Sequence, residues 1–141
     1  MEIVIITENN IRDAGKIHSE SWKESHKSFC SEEFVARHTE EAQTEYIRSE
    51  ISKGKDFYML IDHVPVGIVS VCGSLIENLY VLPTEQRKGY GAMLLHYVLK
   101  QCHDIPSLWI LAITIELTHF IRSMVLLKAA ERSSSEMIFL K

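Results

Sequence analysis

The stretch Leu79-Tyr80-Val81-Leu82-Pro83-Thr84-Glu85-Gln86-Arg87-Lys88-Gly89-Tyr90-Gly91-Ala92 holds the residues best suited to chemistry. An apolar strand runs into a polar loop, and two glycines open a helix. The first N–H groups of a helix lack an intrahelical acceptor and sit at the positive end of its dipole, so they bind anions. Glycine at positions 89 and 91 lets a phosphate approach that backbone with no Cβ in the way. Arg87 and Lys88 add two cations at the same place. The loop suits a phosphate or pyrophosphate. It is not a Walker A loop, because G-x-x-x-x-G-K-[ST] is absent. Nor is it a dinucleotide-binding turn, because Leu94 occupies the third glycine position. The plainer reading of two glycines here is an ordinary strand-to-helix turn.

Other constellations carry less. Glu77 precedes the loop on the same strand, and strict alternation places it on the face of Leu75, Leu79 and Val81. Among seven histidines and three cysteines, His26 and Cys30 are four apart and Cys102 adjoins His103, but no third ligand follows at a zinc-like spacing. We therefore expect no metal site. Cys30, Cys72 and Cys102 are odd in number and far apart, which suits reduced thiols in a cytoplasmic protein, with Cys72 as a small core residue. No G-x-S-x-G elbow is present to support serine hydrolysis. Trp22 follows Ile11 and Ile17 at helical spacing and reads as core, with His26 and Phe29 just beyond it.

The elements that must position these residues follow from periodicity. The chain has 141 residues, 46% hydrophobic and 24% charged, which suits one globular domain over residues 1–141. No apolar run is long enough to span a membrane, and the N-terminus lacks the basic region and cleavage site expected of a signal peptide. A net charge of −4, from 15 basic and 19 acidic residues, argues against a nucleic-acid binder and weakly favours a cationic partner. Residues 2–7 read as a strand, followed by a helix capped by Asn9 or Asn10. A break at 25–31 precedes a helical region at 32–52, with Gly54 as its stop. Strands are expected at 57–61 and 66–71, joined by an Asp62–Pro65 turn, and at 75–81. A helix with Leu95, Val98, Leu99 and Cys102 on one face follows Gly89, then a strand at 108–113, a helix at 117–127 and a strand at 137–140. The order is β-α-α-β-β-β-α-β-α-β, an α/β layered domain.

The loop residues Gln86-x-x-Gly89-x-Gly91-Ala92, preceded by Leu79-Tyr80-Val81-x-Pro83, resemble motif A of the GCN5-related N-acetyltransferases, the GNAT superfamily. The element order from Glu2 to Ile113 resembles that fold as well: a mixed, mostly antiparallel central sheet flanked by helices. The resemblance implies acetyl-CoA as cosubstrate. The loop N–H groups of Arg87, Lys88, Gly89, Tyr90, Gly91 and Ala92 would hold its pyrophosphate, and the main chain of Leu79, Tyr80 and Val81 its pantetheine arm. It implies direct attack of a primary amine, from a small molecule or a peptide, on the thioester. A lysine-like ammonium has a pKa of about 10.4, so a base or water chain must take its proton. Glu77 is the family-like candidate for that base. A strand N–H among Leu79–Val81 would serve the oxyanion. Dimerisation is common in such proteins, and the region of Trp22, His26 and Phe29 walls the acceptor site in them.

One departure stands out. The family's acid is a tyrosine in the pattern N-x-x-A-x-x-F-Y-x-x-x-G-F, and Phe120 matches, but Ile121 stands for the tyrosine and Val125 for the glycine. His119 is a chemical substitute. Three readings follow: an active transferase, a non-catalytic acyl-CoA-binding domain that has lost its acid, and a structural domain whose loop binds nothing. The departure is confined to residues 112–130. Synonymous codons from Ala112 onward, read after dropping two bases, encode Asn-Asn-Asn-Arg-Ala-Asn-Ala-Leu-Tyr-Thr-Lys-Tyr-Gly-Phe-Thr-Lys, which restores the motif. Met124 has a single codon, which forces Tyr-Gly in that frame when the Ser123 codon ends in T. A compensated frameshift explains the segment; the rival is a divergent helix with Leu117, Phe120, Ile121, Met124 and Val125 on one apolar face. On the frameshift account, the DNA at this place encodes the motif one frame over. A gene sequence without it rules the frameshift out.

Overall fold

The computed structural model describes residues 1–104 and 106–108. Its elements are β1 (Glu2–Ile5), α1 (Ile11–His26), α2 (Glu32–Ala36), α3 (Glu40–Ser52), β2 (Asp56–Asp62), β3 (Val64–Cys72), β4 (Leu75–Val81), a 3-10 turn (Pro83–Glu85), α4 (Tyr90–Gln101) and β5 (Ser107–Leu108). The sheet runs β1-β2-β3-β4-β5, antiparallel through the first four strands, with β5 parallel to β4. This is the mixed, mostly antiparallel sheet between helices that the element order implies. The helix expected at 117–127 and the strand at 137–140 lie outside the described residues, as do Ile121, Val125 and all but the start of the strand at 108–113.

Local differences have local causes. The single helix expected over 32–52 is two, because Ser31 and Thr39 each cap a separate start: their hydroxyls accept from the N–H groups of Phe34 and Ala42. Asn10 occupies the N-cap position of α1 without capping it. Its side chain instead accepts from Thr7 N–H (2.7 Å) and donates to the Ile5 carbonyl (3.1 Å), which shortens β1 and sets where α1 begins. The β2–β3 turn is tighter than Asp62–Pro65. Asp62 pairs with Val64 around His63, whose φ is +62°, and Pro65 is already in β3.

Strand alternation feeds one core on each face of the sheet. On one side Leu60, Val69, Val71 and Ile76 meet Leu94, Leu95, Val98 and Leu99 of α4. On the other, Phe57, Met59 and Ile68 meet Ile11, Ala14 and Ile17 of α1 and Ile47 of α3. Helix α1 approaches α3 closely at Gly15, where a Cβ would fall 2.0 Å from Thr44 Oγ1 and 2.9 Å from the Glu40 carbonyl. Trp22 belongs to neither core, contrary to its helical spacing. It is half-buried in a stack between His26 (ring centroids 3.9 Å apart) and His38 (3.4 Å). Cys72, expected in the core, is exposed, and Cys102 is buried at the end of α4.

Polar side chains also lie beneath α1. His18 is 4% exposed and shares a long contact with Asn78 Oδ1 (3.4 Å), while Asn78 Nδ2 donates to Ser70 Oγ (2.8 Å). Burial pulls the His18 pKa down to about 4, against the smaller upward effect of Asn78. The unfolded chain, with an ordinary value near 6.5, then binds the proton more readily than the folded one, so stability is complete above pH 6.5 and drains as pH falls towards 4. Urea unfolding at pH 7.5 and pH 5 should therefore show about 2 kcal/mol more acid loss for the wild type than for His18→Gln. Equal losses would contradict a neutral, buried imidazole.

Candidate active site

The candidate site lies along the outer edge of β4, beside the start of α4. β5 pairs with β4 only at Leu75–Ser107 and Ile76–Leu108. Beyond Ile76 the outer edge of β4 has no strand partner among the described residues. Leu82 N–H donates inward to the Val66 carbonyl (2.9 Å), so alternation turns the main chain of Tyr80 towards β3 and those of Leu79 and Val81 towards the open edge. The Val81 carbonyl is already taken there, by Ser21 Oγ (3.1 Å) and Gln86 Nε2 (3.2 Å). Of the three residues expected to offer free main chain, Leu79 and Val81 face the edge. Tyr80 differs: its backbone serves the β3 ladder and its ring packs on His18, with centroids 4.7 Å apart.

The loop after β4 brings the start of α4 to that edge. Pro83 opens the 3-10 turn, Arg87 takes a left-handed conformation (φ +66°), and Gly89, also left-handed (φ +87°), is the N-cap of α4. No side chain caps this helix, so the N–H groups of Tyr90, Gly91 and Ala92 have no acceptor within it. Space is left above them: a Cβ at residue 89 would meet nothing within 4 Å, and one at residue 91 only Val81 Cγ2 at 3.8 Å. Such a cradle fits a diphosphate. Lys88 bonds Glu85 (2.7 Å), and the Tyr90 hydroxyl bonds Asp62, which ties the loop to the β2–β3 turn and pushes the Tyr90 pKa up.

Glu77 does not lie where alternation puts it. Ser70 pairs with Asn78 and Val71 with Ile76, so Glu77 is the extra residue of a β-bulge. The bulge takes it off the face of Leu79 and Val81, which pack against the α4 core. Its carboxylate instead accepts from Lys55 Nζ (2.6 Å), and Lys55 also bonds Glu50 of α3. Glu50 is 6% exposed, and Lys55 with Lys53 holds its pKa below the usual carboxylate range. Those two carboxylates push the Lys55 pKa up, Glu50 first.

Sequence reasoning missed Lys55, Glu50 and His18. Lys55 and Glu50 reach Glu77 across a helix-to-strand connection, with no local signal. His18 had one, being a polar residue next to Ile17 and four after Ala14 on the buried stripe of α1. Trp22, His26 and Phe29 do cluster, with Phe34 and His38, at the end of α1. Among the described residues no group of three His, Cys, Asp or Glu could hold a metal ion, and no helix is long and apolar enough to cross a membrane.

The fold is found in known proteins. The PaiA N-acetyltransferase of Thermoplasma acidophilum, solved in complex with coenzyme A, is similar in fold, with a TM-score of 0.63 at 19% identity over 88% of this chain and 89% of that one. A possible acetyltransferase of Clostridium difficile 630 superposes with a TM-score of 0.66 at 12% identity, over 99% of this chain and 95% of its own. At these identities the likeness is one of fold. No curated protein matches the chain in sequence. The family model of the acetyltransferase (GNAT) domain matches residues 13–119, which contain both the open edge and the glycine cradle. The chain belongs to the GNAT acetyltransferase family.

Proposed function

We propose that the protein transfers an acetyl group from acetyl-CoA to a primary amine. The observation that carries this reading is the meeting of a strand edge that has no strand partner among the described residues with an uncapped, glycine-lined helix start. An extended thioester arm needs main-chain partners along its length, and a diphosphate needs convergent N–H donors; the two lie side by side here. Leu79 and Val81 would pair with the arm, with Tyr80 between them setting their spacing. The loop from Arg87 through Lys88, Gly89, Tyr90 and Gly91 to Ala92 would hold the diphosphate. The coenzyme A in the Thermoplasma neighbour supports that assignment.

The reaction joins the amine nitrogen to the acetyl carbon and breaks the carbon–sulfur bond, leaving a thiolate that must gain a proton and an ammonium that must lose one. An N–H at the open edge, from Leu79 or Val81, is a fixed dipole suited to the developing oxyanion. Glu77 is the base in this account. Lys55 is shared with Glu50, so when Glu77 takes a proton the ammonium keeps one carboxylate partner and no charge is stranded.

Two measurements test the assignments. Gly91→Ala adds a Cβ where the free protein has room and helix propensity favours alanine, so the variant should fold at least as stably as the wild type. In calorimetry its affinity for coenzyme A should fall about tenfold or more, since the methyl fills the cradle. Unchanged affinity would remove the diphosphate from this loop. Glu77→Gln should lower kcat for acetyl transfer by roughly 10²-fold and leave coenzyme A affinity intact. A variant as fast as the wild type would dismiss Glu77 as the base, and a wild type that binds coenzyme A yet acetylates no amine would dismiss the transferase reading.

A further inference from the structure

A polar cluster between α1 and β4 has unmet hydrogen-bonding capacity. His18 Nδ1 is buried and has no hydrogen-bond partner among the described residues. Buried polar atoms of native proteins nearly always have one, so an orphan calls for an occupant. Neighbours set the tautomer. Asn78 Nδ2 donates to Ser70 Oγ (2.8 Å) and to the Tyr46 hydroxyl (3.4 Å), which leaves Asn78 Oδ1 as the acceptor facing His18 Nε2. Nε2 therefore carries the proton, and Nδ1 presents a bare lone pair.

The cluster also reaches the surface. The His18 ring lies between Tyr80 (centroids 4.7 Å apart) and Tyr46 (5.3 Å). Tyr46 is 38% exposed, packs its ring on His18 and accepts from Asn78 Nδ2 (3.4 Å), so the buried imidazole is one side chain from solvent. A bare lone pair repels an anion and gains nothing from an apolar group. The complementary ligand is an N–H donor.

We propose that His18 Nδ1 receives an N–H of the acceptor amine, with Tyr46 over it, so that this cluster forms an acceptor-amine subsite on the α1 face of β4. The inference rests on the amine-acetylation reading above. His18 orients the nitrogen and does not take its proton, which goes to Glu77. The adjoining positions of Glu77 and Asn78 on the bulge place the proton acceptor next to the amine holder along one strand.

The test has one arm that needs no turnover. In ¹⁵N-histidine-labelled protein saturated with coenzyme A, titration with n-butylamine should shift the His18 Nδ1 resonance saturably. The second arm is kinetic. His18→Gln, which keeps a donor towards Asn78 and lacks an acceptor at the Nδ1 position, should raise the KM for the amine about tenfold or more, the usual cost of one lost hydrogen bond to substrate, with coenzyme A affinity unchanged. His18→Asn, which can place an amide oxygen near that position, should recover most of the loss. No saturable shift, as expected if a water molecule serves Nδ1, overturns the proposal, and so does an unchanged KM in a folded His18→Gln variant. If the wild type binds coenzyme A and acetylates nothing, the function reading fails and the resonance titration alone decides the subsite.

Discussion

Backbone groups of a β-strand need partners, and along β4 the described residues supply an outer partner only as far as Ile76. Through Ile76 the strand is paired on both sides; from there on β3 is its one strand partner among the described residues. An edge of this kind in the middle of a sheet is costly when nothing covers it and is a template for any extended chain of amides. The rest of the structure is arranged around that edge. The bulge at Glu77 falls one residue past Ile76 and adds local twist to β4 at the start of that edge. Ser21 and Gln86 occupy the Val81 carbonyl, so the edge is closed at its far end, and the stretch between is bounded on both sides.

The electrostatics follow from the same geometry. At one end of the open edge, α4 presents its N–H groups with no cap, and the neighbouring carboxylates are bound up: Glu85 by Lys88, and Asp62 by the Tyr90 hydroxyl. At the other end lies a carboxylate chain, Glu50–Lys55–Glu77, in which one ammonium serves two acids. The uncapped N–H groups favour an anion at the first end, and the second carries the paired carboxylates. The proposed diphosphate cradle and the proposed base therefore sit on one strand without sharing a charged contact.

Much of this was legible in the sequence, and what was not has physical reasons. The strand-to-helix turn at 79–92 was legible because its signals are local: an apolar run, a proline, and glycines at the helix start. The four antiparallel strands and α4 follow from periodicity alone. Glu77 was assigned to the wrong face because alternation assumes an unbroken ladder, and a bulge adds one residue that nothing in Leu75–Val81 announces. The division of 32–52 into two helices was signalled by Ser31 and Thr39, whose capping role competes with an apolar spacing that runs through both. Trp22 was assigned to the core by its spacing, but that spacing ignores the stacking partner His38, which comes from a segment sixteen residues further on. The pairing of Lys55 with Glu77 and of His18 with Asn78 is tertiary, and only folding brings those residues together.

The most direct test of the account is amide hydrogen exchange with and without coenzyme A. The account predicts that coenzyme A slows exchange at Leu79 and Val81 and at Tyr90, Gly91 and Ala92, while Tyr80, already paired to β3, changes little. Binding of coenzyme A with no protection at those five amides would contradict it, because the open edge and the helix start would then not be where the cosubstrate lies.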